Sequence, residues 1–491
     1  MNSVVEAVAE HARYTPDAVC VVDSCTMQHY TYAEFWKEIL CYAGKIQTLK
    51  LTKGDYLCIE CSQNVDFLKI IFACQLMGII YIPLENSIRR EKRDEIVREI
   101  SPGILVMKNN TEAGEASFFT YETLSCVSSS EVNIVMPEAS AVSEILYTTG
   151  TTGKSKGIVL TNANDVAVAE NIIYGTGLRE DDVELIPLPL SHSHALRTCY
   201  ANFLRGSAVM ILDGVMNIKL LFKALDEFKI TALDLSPSAA KVLLKLSKGR
   251  LVEYQDQIRF VELGTAFLDE EVKENLRAIL PQSALYNFYG STESGRSCVL
   301  NFSKEVDRHG CIGKPAKNAK FAIMDEKKNP IVSSEENMGF VAVAGNMNMV
   351  KYYNAPELTE QVFCKEYIVT NDLGYIDQEG FVYVFGRADD VINYKGIKIS
   401  PDEIENVALK YSPYIKDCAC VPMADKMSGQ VPRLFIQLDE NFPREKFDFK
   451  DYRNFLVSHL EENRIPKAIE IIDNIPRTPN GKLQRKKLRE L

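Results

Sequence analysis

Apolar positions along this chain follow two spacings that alternate. Residues Tyr32 to Leu49 and Asp66 to Met77 repeat hydrophobic side chains at helical intervals, and Met1 to His11 reads as an acidic amphipathic helix. Between such segments lie short apolar runs: Tyr56 to Cys61, Ile79 to Ile82 after a turn at Gly78, Gly103 to Met107, Glu184 to Pro187 and Ala208 to Leu212. Brief apolar runs alternating with helices predict an α/β fold of layered sheets with buried parallel strands. The polar stretch from Val127 to Ser143 predicts a connection between subdomains. Further on, Phe381 to Phe385 alternates as a strand, Val391 to Ile399 reads as a second, and Ser400 to Leu409 as a helix. Ser400 stands at the N-cap, Pro401 at the first helical position, and Glu403 where it closes a capping box. The expected division is a large N-terminal domain of layered α/β subdomains, residues 1–387, and a small α+β domain, residues 388–491. Neither an internal repeat nor a coiled-coil heptad is present.

Composition narrows the class without naming it. At 491 residues, 46% hydrophobic and 25% charged, the chain is an ordinary soluble protein long enough for several cores. A net charge of −11 argues against general binding to nucleic acid or anionic membranes, but leaves room for local basic groups around a nucleotide. The N-terminus lacks the basic start of a secretory signal, and the apolar stretch from Leu68 to Leu84 is interrupted by Lys69, Gln75 and Pro83, so no membrane span is expected. Thirteen cysteines without framework spacing predict reduced thiols and a cytoplasmic protein. Cys58 and Cys61 sit three apart in a strand and so point to opposite faces, against a redox or zinc pair. Cys418 and Cys420 read as small buried hydrophobes.

Chemistry enters with the run from Tyr147 to Gly157, which alternates hydroxyls with glycines and carries two lysines. Glycine lets backbone amides converge on an anion, because no Cβ blocks the approach. Thr148, Thr149, Thr151 and Thr152 add hydroxyls around Gly150 and Gly153, and Lys154 and Lys156 add charge. Such a loop suits a polyphosphate. Too few residues separate Gly150 from Gly153-Lys154-Ser155 for the Walker motif. Three further signatures follow in order: Asn287-Phe-Tyr-Gly-Ser-Thr-Glu293, then Thr370-Asn-Asp-Leu-Gly374 with Gly386-Arg-Ala-Asp-Asp390, and finally Pro479-Asn-Gly-Lys482.

Taken together the four signatures resemble the adenylate-forming superfamily of acyl-CoA synthetases, aryl-CoA ligases, peptide-synthetase adenylation domains and firefly luciferase. The resemblance spans nearly the whole chain and implies ATP-dependent conversion of a fatty or aromatic acid to an acyl-adenylate, with pyrophosphate release. Transfer to coenzyme A, or to the phosphopantetheine of a separate carrier protein, would follow. It implies that the 148–156 loop cradles the β- and γ-phosphates, Glu293 binds Mg2+, and Thr292 meets the α-phosphate. Tyr289 resembles the adenine-stacking aromatic before Gly290, Asn287 the residue at the adenine amino edge, and Gly264-Thr265-Ala266 the small turn along adenine and substrate. Asp372 resembles the carboxylate on the ribose hydroxyls, and Arg387 a cationic donor to ribose or phosphate. The C-terminal domain is implied to be a mobile lid hinged at Asp389, with Lys398 contacting phosphate in one position and Lys482 as the catalytic cation.

Three departures stand out: Ser155 replaces the usual proline, and Asn371 and Lys351 replace glycines. His192-Ser-His194 admits three readings: the family residue beside the substrate carboxylate at His192, a plain loop histidine, or a metal ligand. The resemblance places His192, Leu196, Tyr200, Leu235, Gly264 and the 294–299 segment along the acid pocket. Arg197 reads either as a partner for a second substrate carboxylate or as a surface arginine. No aspartate near His192 awaits an ammonium, which favours a fatty or aromatic acid over an amino acid. A non-catalytic AMP- or acyl-binding sensor is the alternative of another class.

Overall fold

The computed structural model describes every residue except 25, 87, 110–116, 150–154, 396, 413 and 478–482. The chain forms two compact units. The first comprises Met1–Phe321, Ala342–Ile368 and Gly380–Val382, and the second Ala322–Val341, Val369–Glu379 and Tyr383–Leu491.

In the first unit, one sheet runs in the order Cys311–Pro315, Gly295–Asn301, Ala284–Ser291, Phe260–Leu263, Ala232–Leu235, Val183–Ile186, Ala208–Ile211, Val19–Asp23 and Gln28–Thr31. Its strands are parallel from Ala284–Ser291 to Val19–Asp23, and antiparallel pairs flank them. A second, seven-stranded sheet carries Val142–Thr149 and Ser155–Thr161 as an antiparallel hairpin beside parallel strands that include Ile80–Leu84 and Tyr56–Glu60. Parallel strands need crossover helices, which cover both faces and explain the short unbroken apolar runs.

Helix Val65–Met77 shows how sequence makes this architecture. Asn64 caps its first turn, its side chain accepting from the Phe67 amide, and Gly78 ends it in the left-handed region at φ 66°. Almost all of its residues are buried, as expected for a helix that is apolar all round and touches strands of both sheets. Phe72 meets Phe35 and Phe203 at ring-centroid distances of 5.9 and 5.3 Å, joining this helix to Tyr32–Thr48 and Ser193–Arg205. Each such buried ring contributes roughly 1.5–3 kcal/mol.

The second unit is built around a long antiparallel pair, Ile415–Asp425 with Gly429–Leu438, backed by helices Pro401–Ala408 and Phe449–His459. Cys418 and Cys420 face Ile436 and Leu434 across it, and burial pushes both thiols up. Two expectations need correction here. The stretch from Val391 to Ile399 is not one strand but two short antiparallel ones, Ile392–Tyr394 and Ile397–Ile399. Helix Pro401–Ala408 does begin after Ser400, yet without a side-chain cap bond, and the Glu403 carboxylate pairs with Arg464 at 3.1 Å, so no capping box forms.

Candidate functional site

The hairpin of the second sheet sets the first part of the site. Thr148 faces Lys156 directly across it, and Thr149 faces Ser155. Directly opposed residues share a sheet face, so the Thr148 hydroxyl and the Lys156 ammonium stand on the same side. Gly150, Thr151, Thr152, Gly153 and Lys154, which join these strands, lie outside the described residues. Strand Lys351–Tyr352 adds to the hairpin with Tyr352 opposite Ile158. From there the Tyr352 ring lies under the Lys156 ammonium, 5.5 Å from its centroid, and the Tyr352 hydroxyl donates to Glu293 Oε1 at 2.8 Å. Burial first, then the Glu293 charge, pushes the Tyr352 phenol up, which keeps it a donor. The Met349 amide donates to the Glu293 carbonyl at 2.7 Å, so Glu293 is held at backbone and side chain alike.

Glu293 stands in the turn between strands Ala284–Ser291 and Gly295–Asn301, in register Ser291 to Gly295 and Gly290 to Arg296. The turn is closed by the Ser294 amide on Ser291 Oγ at 3.1 Å. Its tightness needs glycine: a Cβ on Gly290 would fall 1.8 Å from the Gly295 carbonyl oxygen, and Gly295 itself has φ 59°. Thr292 and Glu293 are consequently presented half-exposed at the tip. Lower on the same strand, Asn287 is buried and its Oδ1 has no hydrogen-bond partner among the described residues. A buried acceptor left unpaired costs about 1–3 kcal/mol, so this atom fits a ligand donor such as an adenine amino group. Half-buried Tyr289 lies 6.3 Å from the Phe321 ring.

At the carboxyl ends of the neighbouring parallel strands, where ligands of α/β sheets bind, lies Gly264-Thr265-Ala266. Thr265 has φ 78°, a strained conformation for a β-branched residue, and both Thr265 and Ala266 are exposed. Gly264 is packed against His194: a Cβ there would come within 2.5 Å of the ring. His194 Nε2 is 2.7 Å from Asp234 Oδ1, and Asp234 also accepts from the Thr198 hydroxyl at 2.8 Å. Arg296 binds Glu262 at 2.6 Å and lies 3.6 Å from Asp234. Burial pushes Asp234 up, but His194 and Arg296 outweigh it and hold its carboxyl below the usual range. Glu184 is pushed well up by burial and by Glu262 and Asp234, with one Asn202 amide donating at 2.7 Å.

Several expected residues have other surroundings. His192 is half-buried at the N-cap of helix Ser193–Arg205, without a side-chain cap bond. Leu196, Tyr200 and Leu235 are fully buried, and the Tyr200 hydroxyl is engaged by Gln75 at 3.1 Å and by Tyr81. Arg197 is not at the surface: it is buried against Glu144 and Asp165, and serves the interior. Among the described residues no group of three or more His, Cys, Asp or Glu could hold a metal ion.

Within the second unit, the Asp372 amide donates to Thr370 Oγ1 at 3.1 Å, on strand Tyr367–Ile376. Arg387 ends strand Val382–Arg387, and its carbonyl receives the Asp390 and Val391 amides. The exposed Asp389 carboxylate accepts from Asn371 Nδ2 at 2.6 Å, and its carbonyl from Arg489. Lys398 is exposed opposite Asn393. Lys482 lies outside the described residues; flanking Arg477 and Leu483 pair as an antiparallel bridge. In the basic segment after it, Arg485 pairs with Asp402 and Glu405, and Arg489 with Asp390.

Tyr352 and Asp234 carry no motif that marks them in the sequence, and His194 enters there only within the readings of His192-Ser-His194. Asp234 meets His194 only through the fold.

Comparison with known proteins bears on all of this. The model of the AMP-binding enzyme family matches residues 8–353, and that of the AMP-binding enzyme C-terminal domain matches residues 403–482. A 4-coumarate–CoA ligase 2 of Nicotiana tabacum is 31% identical over 354 residues, which take in 70% of this chain and 64% of that enzyme. A 2-succinylbenzoate–CoA ligase of Bacillus cereus is 25% identical over 496 residues, covering 100% of this chain and 99% of that enzyme. In fold, the chain matches the o-succinylbenzoate CoA synthetase of Bacillus subtilis in complex with its acyl-adenylate intermediate, with a TM-score of 0.88 at 23% identity over 99% of this chain and 98% of that one.

Proposed function

This chain belongs to the family of AMP-binding enzymes, and we propose that it is an AMP-forming ligase joining a carboxylic acid to coenzyme A. In the first step a carboxylate oxygen attacks the α-phosphorus of ATP, the bond to pyrophosphate breaks and the acyl-adenylate forms. In the second, the thiol sulfur attacks the acyl carbonyl, its proton leaves and AMP departs. A carboxylate alone is a poor acyl donor, because oxide cannot leave; the adenylate makes AMP the leaving group.

The observation that carries this reading is the line from Lys156 through the Tyr352 ring and hydroxyl to Glu293. It ties the base of the phosphate hairpin to the signature turn, so a cation and a hard carboxylate ligand are held together. Lys156, with Thr148 and the 149–153 segment, takes the β- and γ-phosphates. Glu293 would hold magnesium, a cation that prefers carboxylate and phosphate oxygens and draws charge from the leaving pyrophosphate. Thr292 donates to the α-phosphate. Asn287 Oδ1 accepts from the adenine amino group, beside Tyr289 and the Gly264–Ala266 turn. Asp372 offers two acceptor oxygens to the ribose hydroxyls, with Arg387 as donor, and Lys398 meets phosphate in the second step. Lys482 supplies the ammonium that offsets charge developing between carboxylate and α-phosphate, and His192 stands beside that carboxylate. Asp389 is the hinge.

The names of the relatives, 4-coumarate–CoA ligase and 2-succinylbenzoate–CoA ligase, favour an aromatic acid. Pyrophosphate exchange into ATP over a panel of aromatic and fatty acids, followed by thioester detection with coenzyme A, tests the proposal. Acid-dependent exchange with thioester formation is expected. Exchange without a coenzyme A thioester would point to a carrier-bound thiol, and absence of exchange with every acid would leave only a binding role.

A further inference from the structure

We propose that Asn371 is a positioning residue that latches the hinge: its side-chain amide holds the Asp389 carboxylate and so biases the lid toward one of its two positions. This rests on the reading of the chain as an acid-activating ligase with its hinge at Asp389. It adds a residue that the resemblance does not supply, because the family pattern has glycine here and glycine offers no side-chain donor.

The residues concerned all belong to the second unit. Asn371 lies on strand Tyr367–Ile376 beside Asp372, and adjacent strand residues point to opposite faces. One face is left to Asp372 and the ribose, while the other brings Asn371 to the turn that follows strand Val382–Arg387. Asn371 binds that turn twice. Its carbonyl accepts from the Ala388 amide at 2.8 Å, and its Nδ2 donates to Asp389 Oδ2 at 2.6 Å. Any residue could make the first bond, which is main chain only. The second needs the amide side chain.

The other side of Asp389 is held from further along the chain. Arg489, in the C-terminal helix Arg485–Arg489, donates to the Asp389 carbonyl and to the Asp390 carboxylate. Arg485 ties the same helix to helix Pro401–Ala408, meeting Glu405 at 2.8 Å. One residue is thus gripped by two partners: its carboxylate by a strand that precedes the hinge, its carbonyl by a helix that follows it. Turning about the N–Cα bond of Asp389 carries the carboxylate away from Asn371, so a change in φ must break the 2.6 Å bond. A hinge absorbs changes in φ and ψ together. The bond therefore forms in one lid position and is lost in the other. A hydrogen bond to an ionised acceptor is stronger than one between neutral groups, so its loss weighs on that balance. With glycine at 371 the bias disappears.

The test uses the full-length protein and the acid that gives the fastest pyrophosphate exchange. Adenylation is followed by that exchange at saturating ATP, and thioester formation by a single turnover of preformed acyl-adenylate with coenzyme A. The ratio of the two rates is compared in wild type, Asn371→Ala, Asn371→Gly, Asp389→Ala and the double variant Asn371→Ala with Asp389→Ala. Each single variant is expected to move the ratio by about 5-fold, all in the same direction, as the loss of one net hydrogen bond would. The double variant should move it no further than either single one, because both remove the same bond. Both half-reactions are measured on one preparation, so a loss of folded protein cancels from the ratio. Rates that fall together at a constant ratio, or a double variant whose shift is the product of the single ones, overturn the latch and leave the ligase reading intact. Wild-type protein that exchanges with no acid overturns the ligase reading and this proposal with it.

Discussion

At the scale of single residues, the account turns on groups whose neighbours restrict what they can do. Tyr352 is the clearest. Its hydroxyl orients Glu293 from outside the proposed metal shell, and removing such a partner typically costs 10–100-fold in metal affinity. Tyr352→Phe should therefore raise the Mg2+ concentration for half-maximal exchange by about 10-fold, with maximal rate largely recovered at high Mg2+. An unchanged Mg2+ dependence would remove Tyr352 from the site. Lys482→Ala should lower acyl-adenylate formation by ~10²–10³-fold, the usual cost of one transition-state stabiliser, while thioester formation from preformed acyl-adenylate changes far less. Equal losses in both half-reactions would contradict its assignment.

At the scale of elements, backbone geometry decides what side chains can reach. A Cβ on Gly290 would overlap the Gly295 carbonyl oxygen, so Gly290→Ala must open the turn that carries Thr292 and Glu293. It is expected to lower exchange at least ~100-fold, because misplacing a catalytic group by about an ångström is enough for that. Far-ultraviolet circular dichroism checks that the fold persists; full activity would show the turn to be dispensable. Elements are also where the sequence was most and least informative. Helix Val65–Met77 and the strand after it were legible because cap, apolar run and glycine stop all lie within one local stretch. The pair Ile392–Tyr394 and Ile397–Ile399 was read as one strand although Gly396 follows Lys395, which has φ 50°, because apolar residues stand on both sides of that short reversal. Arg197 was misjudged for a different reason. Its partners, Glu144 and Asp165, come from other segments, and no local pattern announces that a charge will be buried.

At the scale of the molecule, stability and function share the same interior charges. Burial and two neighbouring carboxylates raise Glu184 well above its ordinary range. Its folded value is thus higher than its unfolded one, so its contribution is fully present below the ordinary glutamate range and is lost as pH rises through the raised value. Glu184→Gln should match the wild-type melting temperature at acid pH, around the ordinary glutamate range, and flatten the decline that the wild type shows as pH rises from there. Glu262→Gln should instead destabilise by about 3–5 kcal/mol, because it leaves Arg296 facing a lost partner. The reverse order in thermal melts across pH would refute this distribution of charge. Between the half-reactions, Asp389→Pro should impair thioester formation more than adenylation, since a hinge must change φ and ψ and proline fixes φ. Intact overall turnover would count against a hinge at that position.

The central claim is that the acid is activated by direct attack on the α-phosphorus. An acid labelled with heavy oxygen in its carboxylate, turned over with ATP and coenzyme A, tests this in one experiment by mass spectrometry of the products. The account predicts one labelled oxygen in AMP, none in pyrophosphate, and a thioester that keeps the other. Label in pyrophosphate or phosphate, or an unlabelled AMP, would contradict it.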